Sequence, residues 1–400
     1  MTPHDCQSSR LDLSFVDIST FGKPDDFADE HREARCGYGS IDHIGTAAIL
    51  AAQQERNAMR PTVRDVADEA GVSLATVDRV LNRRPGVSKA TVGRVEAAVA
   101  RLGFVRDMTA ANLAKHRTYR FIFIIPHGPN TFMRGLEEHV KEAGQRAKME
   151  RADIQVFTVP PFDGKALADV LERIDLSAVS GIALVATDSA PVGEALARIG
   201  RADIPVVTLV SDVPKFRRSR YVGIDNVAAG KTAASLLGRF SGGRSGKVIL
   251  IAGSMLVRDH VERQMGFDQV IRSDFPNLDC LPVLEGYDDA DKTRVVLAEC
   301  LDREHNVVGL YNIGAGNRGI IEVLSCNSSY RSLVTVAHEL TPHARKALRD
   351  GVFDAVINQN AGHEVRSAIR ILKALVDGAP IVEEQEKIRI EIYVRDNLLE

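Results

Sequence analysis

The chain has 400 residues, 44% of them hydrophobic and 26% charged, with a formal net charge of −3; that size asks for two or three folded units and that composition supports a substantial core in a soluble protein. No apolar run approaches the ~20 residues of a membrane helix, and no basic head followed by an apolar stretch marks a signal peptide at the N-terminus. The five cysteines, Cys6, Cys36, Cys280, Cys300 and Cys326, are odd in number and lack metal-ligand spacing, which points to a reducing cytoplasm and no zinc site.

The charge is unevenly spread. Residues 1–59 carry 5 Lys/Arg against 10 Asp/Glu, whereas residues 60–117 carry 11 against 6. A short basic segment inside an acidic chain is the electrostatic footprint of a nucleic-acid reader, a solvated charged face being the plain alternative. Residues 1–59 show weak periodicity and are expected to be a disordered extension, with Met59 as a candidate start of translation.

Residues 60–106 form the first patterned unit. Thr62 is placed to cap a helix in which Val63, Val66, Ala67 and Ala70 recur at i, i+3, i+4 and i+7. Gly71 breaks it, Ser73 caps a second helix that buries Val77, Val80 and Leu81, and Arg83–Val87 is a loop. A third helix starts near Ser88 with Val92, Val95, Val99 and Leu102 on one stripe. Two short helices joined at a glycine are the parts of a helix-turn-helix. Ala75, Asp78, Arg79 and Asn82 share the face opposite the core, where Arg can read guanine and Asn adenine. An ordinary helical hairpin with a charged outer face carries the same pattern.

The stretch Val72-Ser-Leu-Ala-Thr-Val-Asp-Arg-Val-Leu-Asn82, followed by Val87-Ser-Lys-Ala-Thr-Val92, closely resembles the DNA-binding domain of the lactose-repressor/galactose-repressor (LacI) family of transcription regulators. The resemblance implies that Leu74 and Ala75 read bases and that Thr76, Arg79, Asn82, Ser88 and Thr91 contact bases or phosphates of double-stranded operator DNA. Asp78 stands where the family has Ser, and an acidic side chain facing DNA is expected to repel phosphate or select a cytosine amino group. The resemblance also makes residues 107–117 a hinge, with a short helix at Ala110–Lys115 that orders on DNA and inserts Leu113 into the minor groove. Six residues are too few for a stable isolated helix, and an apolar wedge kinks a duplex. The alternative for Leu113 is packing under the large domain.

From Phe121 onward, apolar strand candidates alternate with amphipathic helices: Phe121–Pro126, Ile154–Val159, Gly181–Ala186, Pro205–Val210, Val222–Asp225, Val248–Gly253, Leu281–Leu284, Val307–Asn312, Val334–His338 and Ala355–Gln359. Continuous Val/Ile/Leu runs indicate parallel sheets covered on both faces, and ten such units suit two lobes better than one sheet. Residues 118–400 resemble the effector-binding core of the same family, itself similar to periplasmic ribose-binding proteins. The expected architecture is therefore an all-α reader plus two doubly wound parallel sheets, with an N-lobe of about 118–225 and 360–387 and a C-lobe of about 226–359 and 388–400.

By that resemblance the effector site draws on Asn130, Phe132, Ser211, Asp212, Asp225, Arg263, Asn312, His338 and Gln359. Singly, each polar residue among them reads equally well as a cap, a strand-end turn or a lobe–lobe contact; their shared position at strand ends favours a site. Ribose-type binders end the fourth strand with Asp, where this chain has Val210, and place another Asp where this chain has His338, followed by Glu339. Losing two carboxylates weakens a simple pentose, and His338 with Arg263 is expected to suit an anionic sugar derivative.

The whole chain thus reads as a cytoplasmic, homodimeric, sugar-responsive DNA-binding regulator, a repressor in sense, with no catalytic residues, cofactor, metal or membrane partner. A solute-binding protein of a transport system is the alternative. An α/β enzyme ranks lower: no phosphate-cradling Gly-Lys-Ser/Thr loop, Gly-x-Ser-x-Gly elbow or metal triad occurs, and Gly314-Ala-Gly316 is a weak dinucleotide signal. No leucine heptad follows Asn397, so a dimer is preferred to a tetramer.

Overall fold

The structure, a computed structural model, describes residues 61–82, 84–104 and 118–398. It divides into two compact units, Met1–Val105 and Arg106–Glu400. The disorder expected for residues 1–59 and the hinge helix with Leu113 lie outside the described residues.

The first unit contains α1 (Val63–Ala70), α2 (Leu74–Leu81) and α3 (Lys89–Leu102). Each begins at a side-chain cap: Thr62 accepts from Asp65 N while the Asp65 carboxylate returns to Thr62 N, and Ser73 and Ser88 accept from Thr76 N and Thr91 N. Such caps satisfy amide groups a short helix leaves unpaired, each contributing roughly 1 kcal/mol. The α1–α2 turn passes through Gly71 at φ 62, a left-handed conformation that glycine adopts without penalty. Val66, Ala67, Ala70, Val77, Val95 and Ala98 form a small core, with Val72, Val80, Leu81, Val99, Leu102 and Phe104 packed around it.

The second unit carries β1 (Tyr119–Pro126), α4 (Thr131–Ala147), β2 (Ala152–Val159), α5 (Gly164–Arg173), β3 (Gly181–Leu184), α6 (Ala190–Arg201), β4 (Val206–Leu209) and β5 (Arg220–Val222). These strands pair in parallel in the order β2-β1-β3-β4-β5. The chain continues through α7 (Asn226–Phe240), β6 (Gly246–Ala252), α8 (Arg258–Asp274), β7 (Leu278–Cys280), β8 (Leu284–Glu285), α9 (Ala290–Arg303) and β9 (Val307–Asn312). Then follow α10 (Asn317–Cys326), β10 (Val334–His338), α11 (Pro342–Arg349), β11 (Ala355–Asn358), α12 (Ala361–Asp377), α13 (Glu383–Glu386) and β12 (Glu391–Tyr393). The second sheet runs β12-β11-β10-β9-β6-β7, with β8 also on β6.

Three details differ from the sequence expectation. The strand expected at Val222–Asp225 ends at Val222, because the Asp225 side chain accepts from Ala228 N and starts α7. The single strand expected at Leu281–Leu284 is two short ones, β7 and β8, on either side of it. The last strand, β12, was not expected and runs antiparallel to β11 at the sheet edge, where three residues leave little periodicity to see.

In the first sheet the order reverses between β1 and β3, and in the second between β6 and β9. The crevice at the carboxyl ends of strands beside such a reversal is where open α/β sheets hold ligands. One close approach aims α8 into that crevice. A Cβ on Gly230 would lie 1.9 Å from Arg263 O, and one on Gly266 would lie 2.0 Å from Val227 O, so only glycines let α7 and α8 meet backbone to backbone.

Candidate effector site and DNA-reading face

Between the two sheets lies a space of ≈ 710 Å³, its open mouth included. Loops after strands of both lobes line it. Asn130, Phe132, Phe162, Thr187, Val210 and Ser211 come from one lobe; Asp259, His260, Arg263, Asp288, Glu339 and Gln359 come from the other and its return. Four of the wall residues, Phe162, Val210, Asp288 and Glu339, have φ of 62, 61, 57 and 67. Left-handed backbone at non-glycine residues costs on the order of 1–3 kcal/mol each and persists where surroundings over-determine it, commonly at ligand sites.

Arg263 anchors the polar wall. It is 2% exposed. Its Nε donates to Asn226 Oδ1 at 2.8 Å and its Nη1 to Ile313 O at 2.9 Å. Its Nη2 has no hydrogen-bond partner and stands 3.9 Å from Glu339 Oε1. Glu339 Oε1 accepts from Gln359 Nε2 at 2.7 Å. Burial pushes the Glu339 carboxyl up to about 7, against the opposing pull of Arg263 and the Gln359 hydrogen bond. Behind it, the wholly buried Glu364 is raised well above the carboxylate range, mainly by burial and further by Glu339.

Five buried polar atoms of the wall lack any hydrogen-bond partner: Ser211 Oγ, Asp259 Oδ1, Arg263 Nη2, Glu339 Oε2 and Gln359 Oε1. Leaving one such group unpaired costs about 1–3 kcal/mol. The set mixes a donor, acceptors and groups that can do either. Hydroxyls on a ring match such a set, since each both donates and accepts.

Of the residues expected in the site, Asn130, Phe132, Ser211, Arg263 and Gln359 line this space. Asn130 also caps α4, through Phe132 N at 2.9 Å and Met133 N at 3.2 Å, and its Nδ2 donates across the crevice to Asp288 Oδ2 at 2.8 Å. The other four lie elsewhere. Asp212 is held by Arg218 and Thr208, and Asp225 is the exposed cap of α7. Asn312 ties Ala315 O and Asn317 Oδ1 into the turn after β9. His338 turns its Nε2 to Tyr311 OH at 2.9 Å and sits in the wall of a neighbouring hollow.

Val210 and His338 stand where ribose-type binders carry Asp, yet three other carboxylates, Asp259, Asp288 and Glu339, line the space. Asp259 lies one helical turn before Arg263 on α8, a spacing that puts both on one face. Asp288 and Glu339 arrive through left-handed backbone that strand periodicity does not reveal. The expected pairing of His338 with Arg263 on an anion fails for the same space: burial, Arg263 and His260 hold the imidazole well below its usual range and therefore neutral.

On the first unit, Leu74 and Ala75 are exposed side by side at the start of α2, and Arg79 is exposed one turn on. Thr76 and Ser73 share a 2.9 Å hydroxyl contact, as do Thr91 and Ser88, and the two serine hydroxyls also accept from Thr76 N and Thr91 N as helix caps. The Asp78 carboxylate accepts from Asn82 Nδ2 at 2.6 Å and from Arg84 Nη1 at 3.3 Å, which ties the Asn82 amide back along α2.

A family model described as a periplasmic binding protein domain matches residues 121–380, and one described as bacterial regulatory proteins, lacI family, matches residues 62–107. Catabolite control protein A of Priestia megaterium is 40% identical over 84 residues, 20% of this chain and 25% of that protein. Its namesake in Streptococcus mutans is 28% identical over 195 residues, 49% of this chain and 55% of that one. The ribose operon repressor of Escherichia coli is 30% identical over 128 residues, 32% and 38%. These matches span from a quarter to little more than half of the relatives' length. A glucose-galactose binding protein from Geobacillus stearothermophilus shares the fold, with a TM-score of 0.64 and 20% identity over 70% of this chain and 99% of that one.

Proposed function

The chain belongs to the lacI family of bacterial regulatory proteins and carries that family's periplasmic-binding-protein domain, and from this premise we propose that it is a sequence-specific DNA-binding transcription regulator, a repressor in sense, controlled by a small polyhydroxylated effector. The observation that carries the effector half is the set of five unpartnered buried polar atoms around one cavity. Phe132 supplies an apolar face for a sugar ring, and Arg263, Asp259, Ser211 and Gln359 supply hydroxyl partners. Relatives named as a ribose operon repressor and as catabolite control proteins support both halves of the reading.

Two copies paired through the large unit present two readers to a near-palindromic operator. Effector closes the lobes on itself, strengthening contacts such as Asn130–Asp288, and the hinges transmit that change to the readers. We assign the chain no catalytic reaction. A transport role accounts for residues 118–398 and leaves the capped, basic helix-turn-helix without a task. The test has two parts: selection of bound duplexes from a random pool at moderate salt, and calorimetric titration with sugars, polyols, nucleobases and amino acids. One enriched palindromic sequence together with binding of a polyhydroxylated compound supports the proposal. No enriched sequence, or binding of a nucleobase or amino acid alone, refutes it.

A further inference from the structure

A second hollow of ≈ 390 Å³, its open mouth included, adjoins the effector cavity and shares Asn130, Phe132, Asp288 and Glu339 with it. Its far wall has a different chemistry. It is built from the first turns of α10 and α11, which bring Arg318 and His343, and from the buried strand-end residue His338.

The N-terminus of α10 is open. Its cap is Gly316 at φ 90, and no side chain bonds the free amides of the first turn; a Cβ there would meet Thr293 Oγ1 at 2.3 Å, so a capping side chain has no room. A helix start concentrates roughly half a positive charge and is a ready anion site. Arg318, in that same first turn, is exposed and lines the hollow. An independent observation points to the same occupant. His338 is 0% exposed and its Nδ1 has no hydrogen-bond partner, its Nε2 being taken by Tyr311 OH.

Two acidic residues, Asp288 and Glu339, also line this hollow, and both already have partners. Both Asp288 oxygens are occupied, Oδ2 by Asn130 Nδ2 at 2.8 Å and Oδ1 by Ala315 N at 3.2 Å. Glu339 faces Arg263 from the other side at 3.9 Å.

We propose that this hollow holds the anionic group, a phosphate monoester or a carboxylate, of an effector whose polyhydroxylated ring fills the neighbouring cavity. The proposal rests on the effector reading above and narrows it. Asp288 and Glu339 line both spaces, Asp259 lines only the first, and the uncapped α10 start with Arg318 lines only the second, where it fits a charged tail. The effector is then a sugar phosphate or sugar acid rather than a free sugar.

Calorimetry on the full chain separates the possibilities with matched pairs: D-ribose and D-ribose 5-phosphate, D-glucose and D-glucose 6-phosphate, D-galactose and D-galacturonate. The expected result is at least one charged compound binding about tenfold or more tightly than its parent, with Arg318→Gln bringing that ratio to near one. Which charged member wins distinguishes phosphate from carboxylate. Parents binding as tightly as their charged partners, or a ratio that Arg318→Gln leaves intact, overturns the proposal while the sugar-effector reading stands. Silence from all six compounds overturns the proposal, and the sugar-effector reading is then decided by the wider titration described above.

Discussion

The two units handle their polar groups in opposite ways. In the helix-turn-helix, Thr62, Ser73 and Ser88 each close a helix start, Asp78 is matched by Asn82 and Arg84, and among the described residues 62–104 no buried side-chain polar atom lacks a partner. In the two-lobed unit, five such atoms crowd one cavity whose walls include four strained backbone positions. A surface that reads DNA can be satisfied by water when idle, so its scaffold can be locally complete. A cavity that grips a small molecule keeps polar groups dry in wait for it, and stability is lost where the function is gained.

This contrast breaks most readily at Arg263. Replacing it with Ala leaves Glu339 and Asn226 buried without their partner, so chemical denaturation is expected to show a loss of about 3–5 kcal/mol, and calorimetry no effector binding. A variant of unchanged stability would mean that the buried wall is far wetter than its geometry implies.

The next effect is a pH dependence confined to the large unit. Glu339 titrates near 4.5 when unfolded and near 7 when folded, so between those values the folded state holds the extra proton. Stability therefore falls as pH rises from about 4.5 to about 7, by on the order of 3 kcal/mol in all. The Glu364 carboxyl, also raised by burial, adds to the same downward slope. Denaturation midpoints followed from pH 5 to 8 should show this slope, and Glu339→Gln should flatten it. A rise in stability across that range would show both carboxyls to be ionised in the fold.

On the reading face, Arg79→Ala is expected to weaken operator binding by about 1–3 kcal/mol and to relax choice at one base pair, as gel shifts on operator variants would show. The smallest effect belongs to Asp78→Ala. Its ion pair with Arg84 is half exposed on both sides, so stability should change by less than about 1 kcal/mol, while operator affinity rises as Arg84 and Asn82 are released toward phosphate. Weaker operator binding would instead make Asp78 a base contact.

How far each region could be read from sequence follows the same division. The helix-turn-helix is local: caps, a glycine turn and apolar spacing at three and four residues all lie within one stretch, and its core valines are where that spacing puts them. The cavity is assembled from strand ends scattered between Asn130 and Gln359. Asn130, Phe132, Ser211, Arg263 and Gln359 were visible through a resemblance, because they sit at strand ends or on a helix face. Asp288 and Glu339 were not, since their left-handed backbone, φ 57 and 67, redirects side chains in a way no periodicity records. Asp212 and Asp225 misled for a complementary reason: strand-end acids serve as caps and ion pairs as readily as they bind ligands.

The account stands or falls on coupling between the two units, and the direct measurement is effector affinity with and without saturating operator duplex. Linkage requires any shift to be reciprocal. The account predicts dissociation constants that differ by roughly 5–150-fold, with operator affinity altered by effector through the same factor. Equal constants in the two titrations would contradict it.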